Sequence, residues 1–342
     1  MRATLASSTR RLRRLTLPGS AVAAAVGLIL SGCQTDTPVS NTNPDNIPTV
    51  PITAAVSVTG RNAAGLTTHH MFRTLGTVDK MLHPTGRASA TGDDNGGNVN
   101  SPFDLSNFGG AVVDHAVNWN VYVTCPTTPA DCWGTGNLGP ANFLRDLNRS
   151  NFIRLANQYT GSDLYGQFPT GEITVDTLLD NPLTPLDIGT YVIAASLATG
   201  RSGYDNIFHI FLPAGVDVCL GPTDCYSPDD PANWTFCAFH ASFDSPLGGH
   251  LLFTVEPYQN VPGCPLPGQT PHGAIDATAS TLSHEFFETI TDPDGETWGN
   301  VQTGEEVADL CFVFRNNEHL GRHSYVIQSE YSNNVHLCTD QP

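Results

Sequence analysis

The sequence predicts an α+β domain that is rich in loops and braced by disulfides. Three runs of aromatic and β-branched residues, at 207–218, 235–243 and 251–256, are bounded by Pro, Gly and Asp, which is typical of strands. Residues 276–293 repeat apolar side chains at intervals of three and four, which predicts a helix. The chain has 32 Gly and 25 Pro, so loops and short elements should predominate over long helices.

Earlier segments complete this mixed pattern. Residues 111–123 end in Val-Tyr-Val and predict a strand. Residues 140–159 carry apolar side chains at spacings of three and four, which indicates one helix or two abutting helices. Residues 186–197 fit either a helix or a strand, with Gly200 as a helix stop. No repeat of fixed period and no internal linker follows residue 53, so one domain over residues 53–342 is the simplest organisation.

The charge of the chain excludes one class of partner. Its 15 basic and 33 acidic residues give a formal net charge of -18, and Lys80 is the sole lysine. Such a field repels phosphate, so we expect no nucleic-acid binding. Cations are the partners that this charge favours.

The N-terminus has the pattern of an export signal. Several arginines precede an apolar run at 21–30, which is too short for a confident membrane span. The residues that follow, Leu30-Ser31-Gly32-Cys33, resemble a bacterial lipobox, in which the cysteine is lipidated on sulfur and becomes the new N-terminus. An ordinary cleaved signal with an incidental cysteine is the alternative. The paired arginines leave both the general and the twin-arginine export routes open.

The lipobox resemblance implies a three-part chain. Residues 1–32 form the lipoprotein signal peptide, and residues 33–52, polar and rich in proline, form a tether that starts at the lipidated Cys33. Cleavage before Cys33 leaves 10 basic and 33 acidic residues, a formal charge of -23. The lipid bilayer is then a partner through this anchor, with the domain in the periplasm or outside the cell. Because Gln34 is not the aspartate that retains lipoproteins at the inner membrane, we expect the outer membrane in a two-membrane cell.

The remaining cysteines are even in number, which in an exported chain predicts disulfides. Close spacing favours the pairs Cys125–Cys132 and Cys219–Cys225, with Cys311–Cys338 securing the C-terminus. A thiolate zinc site is a weaker alternative, because the sequence has no CxxC pair. The predicted disulfide cysteines are Cys125, Cys132, Cys219, Cys225, Cys237, Cys264, Cys311 and Cys338.

The predicted helix at 276–293 carries the most informative motif. His284 and Glu288 lie one turn apart and project from one face, with Glu285 between them. This His-Glu-x-x-Glu pattern resembles the metalloprotease motif His-Glu-x-x-His with a carboxylate as the second ligand. The resemblance implies that His284 and Glu288 bind a metal and that Glu285 takes a proton from the attacking water. A solvated amphipathic helix is the alternative.

A second acidic cluster follows at 304–311. Glu305 and Asp309 have the spacing at which thermolysin-like enzymes place a third metal ligand and a supporting acid, so we expect Glu305 as a ligand, with Asp309 supporting it or ligating directly. His240 is an accessory ligand candidate, or simply a half-buried histidine on its strand. The cofactor expected is one divalent metal, zinc by this resemblance, although a His/carboxylate set also suits manganese or calcium.

These features together predict a zincin-like mixed sheet with a metal-site helix. Zincins place a substrate-pairing edge strand before the metal-site helix, and residues 251–256 occupy that place in the sequence. A substrate aligned by β-addition to this strand would fit that arrangement.

Five ordered blocks also resemble a family. They are GGAVVDHAVNWNVYV (109–123), HIFLPAGVDVC (209–219), FCAFHASF (236–243), DATASTLSHEFFETITDP (276–293) and GEEVADLC (304–311). These blocks are similar to those of the phosphate-induced protein 1, or EXORDIUM-like, family, and the likeness spans residues 105–340. It implies an extracellular domain that acts at the cell surface or wall. The lipobox and tether depart from the plant pattern, which argues against a plant growth role here.

Two functional hypotheses follow. The first is an exported surface lipoprotein with a metal-dependent, peptidase-like hydrolase site, acting on a peptide or cell-wall substrate. The second is a non-catalytic surface or wall-binding protein in which the same residues hold a structural metal or none.

Overall fold

A seven-stranded mixed sheet is the largest element of the structure. The computed structural model describes residues 49–50, 67–72, 103–125, 138–164, 170–230, 232–259, 261, 264, 274–311 and 314–342. The predicted signal peptide, Cys33 and all of the tether except residues 49–50 lie outside these ranges. No helix within them combines the length and the apolar character that crossing a membrane requires.

The strands of this sheet come from most of the chain. They are β1 (Thr49–Val50), β2 (Thr67–Phe72), β4 (Val117–Val123), β5 (Thr170–Val175), β6 (Asn206–Phe211), β9 (Phe236–Ser245) and β10 (Gly249–Glu256). Their order is β1-β5-β4-β6-β10-β9-β2. The first five in this order are parallel, whereas β9 runs antiparallel to both β10 and β2.

Short strands pair in twos outside the large sheet. The antiparallel pairs are β3 with β11, β7 with β8, β12 with β13 and β14 with β15. Their bounds are β3 (Leu105–Asn107), β7 (Val218–Gly221), β8 (Asp224–Tyr226), β11 (Trp298–Asn300), β12 (Phe314–Leu320), β13 (His323–Gln328), β14 (Glu330–Ser332) and β15 (Leu337–Thr339).

The helices resolve the ambiguous sequence segments. Residues 140–159 form abutting pieces, and residues 186–197 belong to a helix. That helix begins with a capping box between Thr184 and Asp187 and ends at Gly200, whose φ of 66° suits glycine. The helices are α1 (Pro140–Leu147), a 3-10 helix (Phe152–Ala156), α2 (Asn157–Thr160), α3 (Pro185–Thr199) and α4 (Ala274–Thr291).

The sheet is covered on both faces. Every residue of β6 is buried, and Ile207 and Phe211 join one core with residues of α1 and α4. On the other face, α3 contacts β6 and β10. Alternation along each strand therefore decides which side chains face α4.

Disulfides brace this α+β fold, as the sequence predicts. The bridges Cys219–Cys225 and Cys311–Cys338 are both present. Cys237–Cys264 joins β9 to the segment before α4. Cys125 is also disulfide-bonded, and its predicted partner, Cys132, lies outside the described residues.

The expectation of an edge strand at 251–256 is wrong. These residues belong to β10, which pairs with β6 on one side and β9 on the other. Both rows of backbone groups are therefore already hydrogen-bonded, and a substrate cannot add to this strand.

A polar cluster fastens the β9–β10 hairpin to the turn after α4. Nδ1 of His250 lies 2.9 Å from Asp244 Oδ1, and Nε2 lies 3.1 Å from Asp294 Oδ1. Ser242 also donates to Asp294. The hydrogen bond to Asp294 raises the pKa of His250, and burial, which lowers it, has a smaller effect. Burial opposes ionisation of Asp294, but hydrogen bonds from His250 and Ser242 hold its pKa at about 2.

We expect this cluster to make stability depend on pH. Protonated His250 contributes fully below its unfolded pKa, and the contribution is lost as the pH rises through the raised pKa of the folded state. The coupling energy between His250→Gln and Asp294→Asn should be about 1 kcal/mol at pH 6 and smaller at pH 9. Urea unfolding of both single variants and the double variant measures it. An equal coupling at both pH values would contradict the assignment.

Candidate functional site

Helix α4 is buried on all sides. Its apolar stripe, which includes Leu282, Phe286 and Ile290, packs into the main core. The opposite face carries His284, Glu285 and Glu288, which are also no more than 1% exposed because β9, β10 and β13 cover it. This helix is therefore not a solvated amphipathic one.

One set of ligand-type atoms joins α4 to the segment after it. Nε2 of His284 lies 3.2 Å from Glu288 Oε2 and 3.6 Å from Asp309 Oδ1. The backbone N–H of Asp309 donates to Glu288 Oε1 at 3.1 Å, which fixes both the carboxylate and the turn. The Asp309 side chain is 14% exposed, so it is the most accessible member of this set.

A second set includes His240 of β9. Its Nδ1 lies 3.5 Å from Glu288 Oε2 and 3.2 Å from Glu285 Oε2, and its Nε2 lies 3.7 Å from Glu306 Oε1. His240, Glu288 and Glu306 are all buried. His240, the accessory candidate, therefore lies within the cluster, beside the predicted base Glu285.

Glu305 does not join the cluster. Its carboxylate accepts a hydrogen bond from Thr303 at a partly exposed position, and the neighbouring Glu306 points inward instead. The helical spacing behind the Glu305 prediction does not apply, because residues 304–306 are irregular and residues 307–310 form a turn. Leu310 N donates to Glu306 O and Cys311 N to Ala308 O. Asp309 therefore lies beside His284 itself. This is the position of a direct ligand, which the sequence left open as the alternative to a supporting role.

Gln328 of β13 positions the His284 ring. Its Nε2 lies 3.0 Å from His284 Nδ1 and donates to Ala308 O at 2.7 Å. For Nε2 of His284 to bind a cation, Nδ1 must carry the proton and needs an acceptor. A turn of the Gln328 amide would bring Oε1 to Nδ1 as that acceptor, but it would cost the hydrogen bond that Nε2 donates to Ala308 O.

A row of polar residues crosses the sheet beneath α4. The strand register aligns Asn120, His209, Thr254 and His240, which therefore share one face. His209 Nδ1 lies 3.0 Å from Thr254 Oγ1, which donates to Glu256 Oε1 at 3.1 Å. Burial lowers the pKa of His209 to about 3, so His209 is neutral.

Buried acids surround the cluster. Burial raises the pKa of Glu256 to about 8, with a further contribution from Glu285. Glu330 of β14 is fully buried, and burial raises its pKa well above the usual range. Burial disfavours charge on His284, but Glu288, Glu285 and Asp309 outweigh this and raise its pKa to about 10. The same attraction, from His284 and His240, lowers the pKa of Glu288 against the effect of burial.

The residues of the cluster fit a divalent cation. Imidazole and carboxylate are ordinary zinc donors, and two ligands at about 2.0–2.1 Å from a tetrahedral ion lie about 3.3 Å apart. The 3.2 Å and 3.6 Å separations around His284 Nε2 match this spacing. Neither His284 Nε2 nor Glu288 Oε2 makes a hydrogen bond in the described ranges. These groups could therefore hold a metal ion.

Glu306 lies within the predicted acidic cluster and is one of its acids left open as a ligand, whereas Gln328, Glu256 and Glu330 lie at the cluster without having been predicted there. Glu306 lies next to a predicted ligand, so the acidic cluster gave a signal for it. The other three lie on strands without a local motif, and long-range packing brings them to α4.

Comparisons with family models, with curated proteins and with solved structures find no match. The resemblance to the phosphate-induced protein 1 family therefore stays a prediction.

A matched pair of variants tests which acid binds the ion. Asp309→Asn should weaken zinc binding by at least about 100-fold, because a charged ligand becomes a weakly coordinating amide. Glu305→Gln should leave the zinc dissociation constant within about twofold, because its carboxylate faces Thr303. Competition with a chromophoric chelator measures both constants. Equal losses in the two variants would show that both acids ligate.

Proposed function

We propose that this protein is a metal-dependent hydrolase that acts on peptide bonds, with its site at the cluster on α4. The observation that carries the proposal is the convergence of His284, Glu288 and Asp309 beside Glu285, of which all but Asp309 are buried. His284, Glu285 and Glu288 are the ligand and base positions that the His-Glu-x-x-Glu motif predicts.

Each residue has a chemical role in this proposal. A bound divalent ion supplies Lewis acidity, which polarises a carbonyl and lowers the pKa of water. His284, Glu288 and Asp309 hold the ion, and Gln328 orients the His284 ring. Glu285 takes the proton of the attacking water, a task that suits it because burial raises the pKa of its carboxyl.

His240 supports Glu285 in the same scheme. Its Nδ1 lies 3.2 Å from Glu285 Oε2, which is hydrogen-bond distance. A protonated imidazole at this distance stabilises the carboxylate form of the base, and it holds the carboxylate in one orientation.

Zinc is the cofactor we propose. A single histidine with two carboxylates is a harder donor set than that of most zinc peptidases, so manganese and calcium are the competitors. The imidazole of His284 favours zinc over calcium, because zinc binds histidine nitrogen whereas calcium takes oxygen ligands.

Burial of the cluster favours a second candidate function. Structural metal sites are closed, whereas catalytic sites keep one position open. Apart from Asp309, the ligand-type residues are no more than 1% exposed. A non-catalytic surface or wall-binding protein with a structural ion would have this property.

The Glu285→Gln variant separates the two functions. In the hydrolase, this change should lower kcat by about 10²–10⁴-fold and leave metal content unchanged, because Glu285 moves a proton and does not ligate. Hydrolysis of a broad peptide library and metal analysis are the measurements. Glu296→Gln, at an exposed position, is the matched control and should leave both unchanged.

Other outcomes decide against the hydrolase. Full metal content without hydrolysis in the wild type supports the structural ion. Chelation should then lower the melting temperature markedly, because the ion stabilises only the folded chain.

We also propose that the protein is exported and anchored to the cell envelope through lipidated Cys33, with the bilayer as its partner. The disulfides of the domain support this location, because they form in oxidising compartments. The lipobox-like residues support the anchor.

Replacing Cys33 tests the anchor. Cys33→Ser should move the protein from the membrane to the soluble fraction, because the sulfur that carries the lipid is lost. Fractionation and labelling with a fatty acid are the measurements, and Thr37→Ser, in the predicted tether, is the control. Membrane retention of Cys33→Ser would contradict the lipid anchor.

A further inference from the structure

Glu288 lies between two histidines that belong to different ligand sets. Its Oε2 is 3.2 Å from His284 Nε2 on one side and 3.5 Å from His240 Nδ1 on the other. Among the described residues, Glu288 is the one member that the two sets share.

The two sets have the same composition. Each contains one histidine, the shared Glu288 and one acid of its own, which is Asp309 beside His284 and Glu306 beside His240. Within each set, the candidate ligand atoms all lie within 4.8 Å of one another. No set in the described part of the chain contains both histidines within that 4.8 Å limit. Two ligand atoms on opposite sides of an octahedral ion, each about 2.1 Å from it, are about 4.2 Å apart. One ion could therefore bind both histidines only if the two rings moved closer to each other.

The number of buried acids in the cluster also supports two ions. Five glutamates are each no more than 1% exposed, and they lie with Asp309 around the two histidines. These glutamates are Glu256, Glu285, Glu288, Glu306 and Glu330. Buried carboxylates must be protonated or must bind cations, and one divalent ion balances two of them. Glu285, Glu288, Glu306 and Asp309 would, when ionised, carry the four negative charges that balance two divalent ions.

We propose that the site holds two divalent cations bridged by Glu288, one with His284 and Asp309 and the other with His240 and Glu306. This inference rests on the metal site of the proposed function, but it does not require that the site be catalytic. In this arrangement His240 is a neutral, direct ligand instead of a protonated partner of Glu285, and Glu306 is the acid ligand beside it.

Metal stoichiometry in the full chain tests the proposal. The protein, purified in detergent and stripped with a chelator, is dialysed against zinc or manganese, and metal per chain is measured by mass spectrometry. The wild type should bind about two ions, and the manganese form should give an exchange-coupled spectrum in electron paramagnetic resonance, as expected for ions about 3.5–4 Å apart.

The variants assign each ion to its set. Glu306→Gln and Asp309→Asn should each bind about one ion and lose the exchange coupling. Glu296→Gln, the exposed control, should keep both ions and the coupling. Circular dichroism checks that each variant folds. If Glu306→Gln does not fold, His240→Gln takes its place in the test, because it should remove the same ion.

The outcomes separate this inference from the proposed hydrolase. One ion in the wild type, kept in Glu306→Gln and lost in Asp309→Asn, overturns the paired site and leaves the hydrolase standing. Two ions without exchange coupling, both kept in Glu306→Gln, also overturn the paired site. Two coupled ions without peptide hydrolysis support the pair and contradict the hydrolase. No ion in the wild type contradicts both.

Discussion

The burial of the acidic face of α4 against His240 of β9 is the interaction on which the site depends. Glu285 and Glu288 lose nearly all contact with water there, which costs free energy unless positive charge or protons compensate. His240 and His284 lie within 3.5 Å of these carboxylates and provide that compensation. A divalent cation held by these groups would also compensate the carboxylates, with both histidines in the neutral form that binds metal.

The topology of the sheet serves this interaction. Because β10 is enclosed between β6 and β9, the residues that it directs toward α4 have fixed positions, and the aligned Thr254 and His240 form part of a polar row beneath the helix. Two disulfides hold the surrounding segments, one at β9 and one just after Asp309. The site thus combines rigid strands with a turn that Glu288 itself fixes by accepting from Asp309 N–H.

The local sequence pattern was sufficient to predict helix α4, the proximity of His284 and Glu288, and the bridges Cys219–Cys225 and Cys311–Cys338. It favoured Glu305 because residues 304–311 were read with a helical period, whereas the chain there is not helical and brings Glu306 and Asp309 to the cluster. Gln328 and Glu330 had no local signal, because their roles arise only when the C-terminal strands pack on α4. The interior position of β10 had a partial signal, since Leu251–Leu252–Phe253 form an unbroken apolar run, as in strands that are buried on both faces.

The Cys311–Cys338 bridge closes a covalent ring that begins two residues after Asp309 and contains both Gln328 and Glu330. A protease that cuts one peptide bond between the two cysteines therefore releases no fragment. Asp309 and Glu330 would remain in one molecule, joined through sulfur. Where proteases are present, this part of the protein has a covalent connection that a single backbone cut cannot sever.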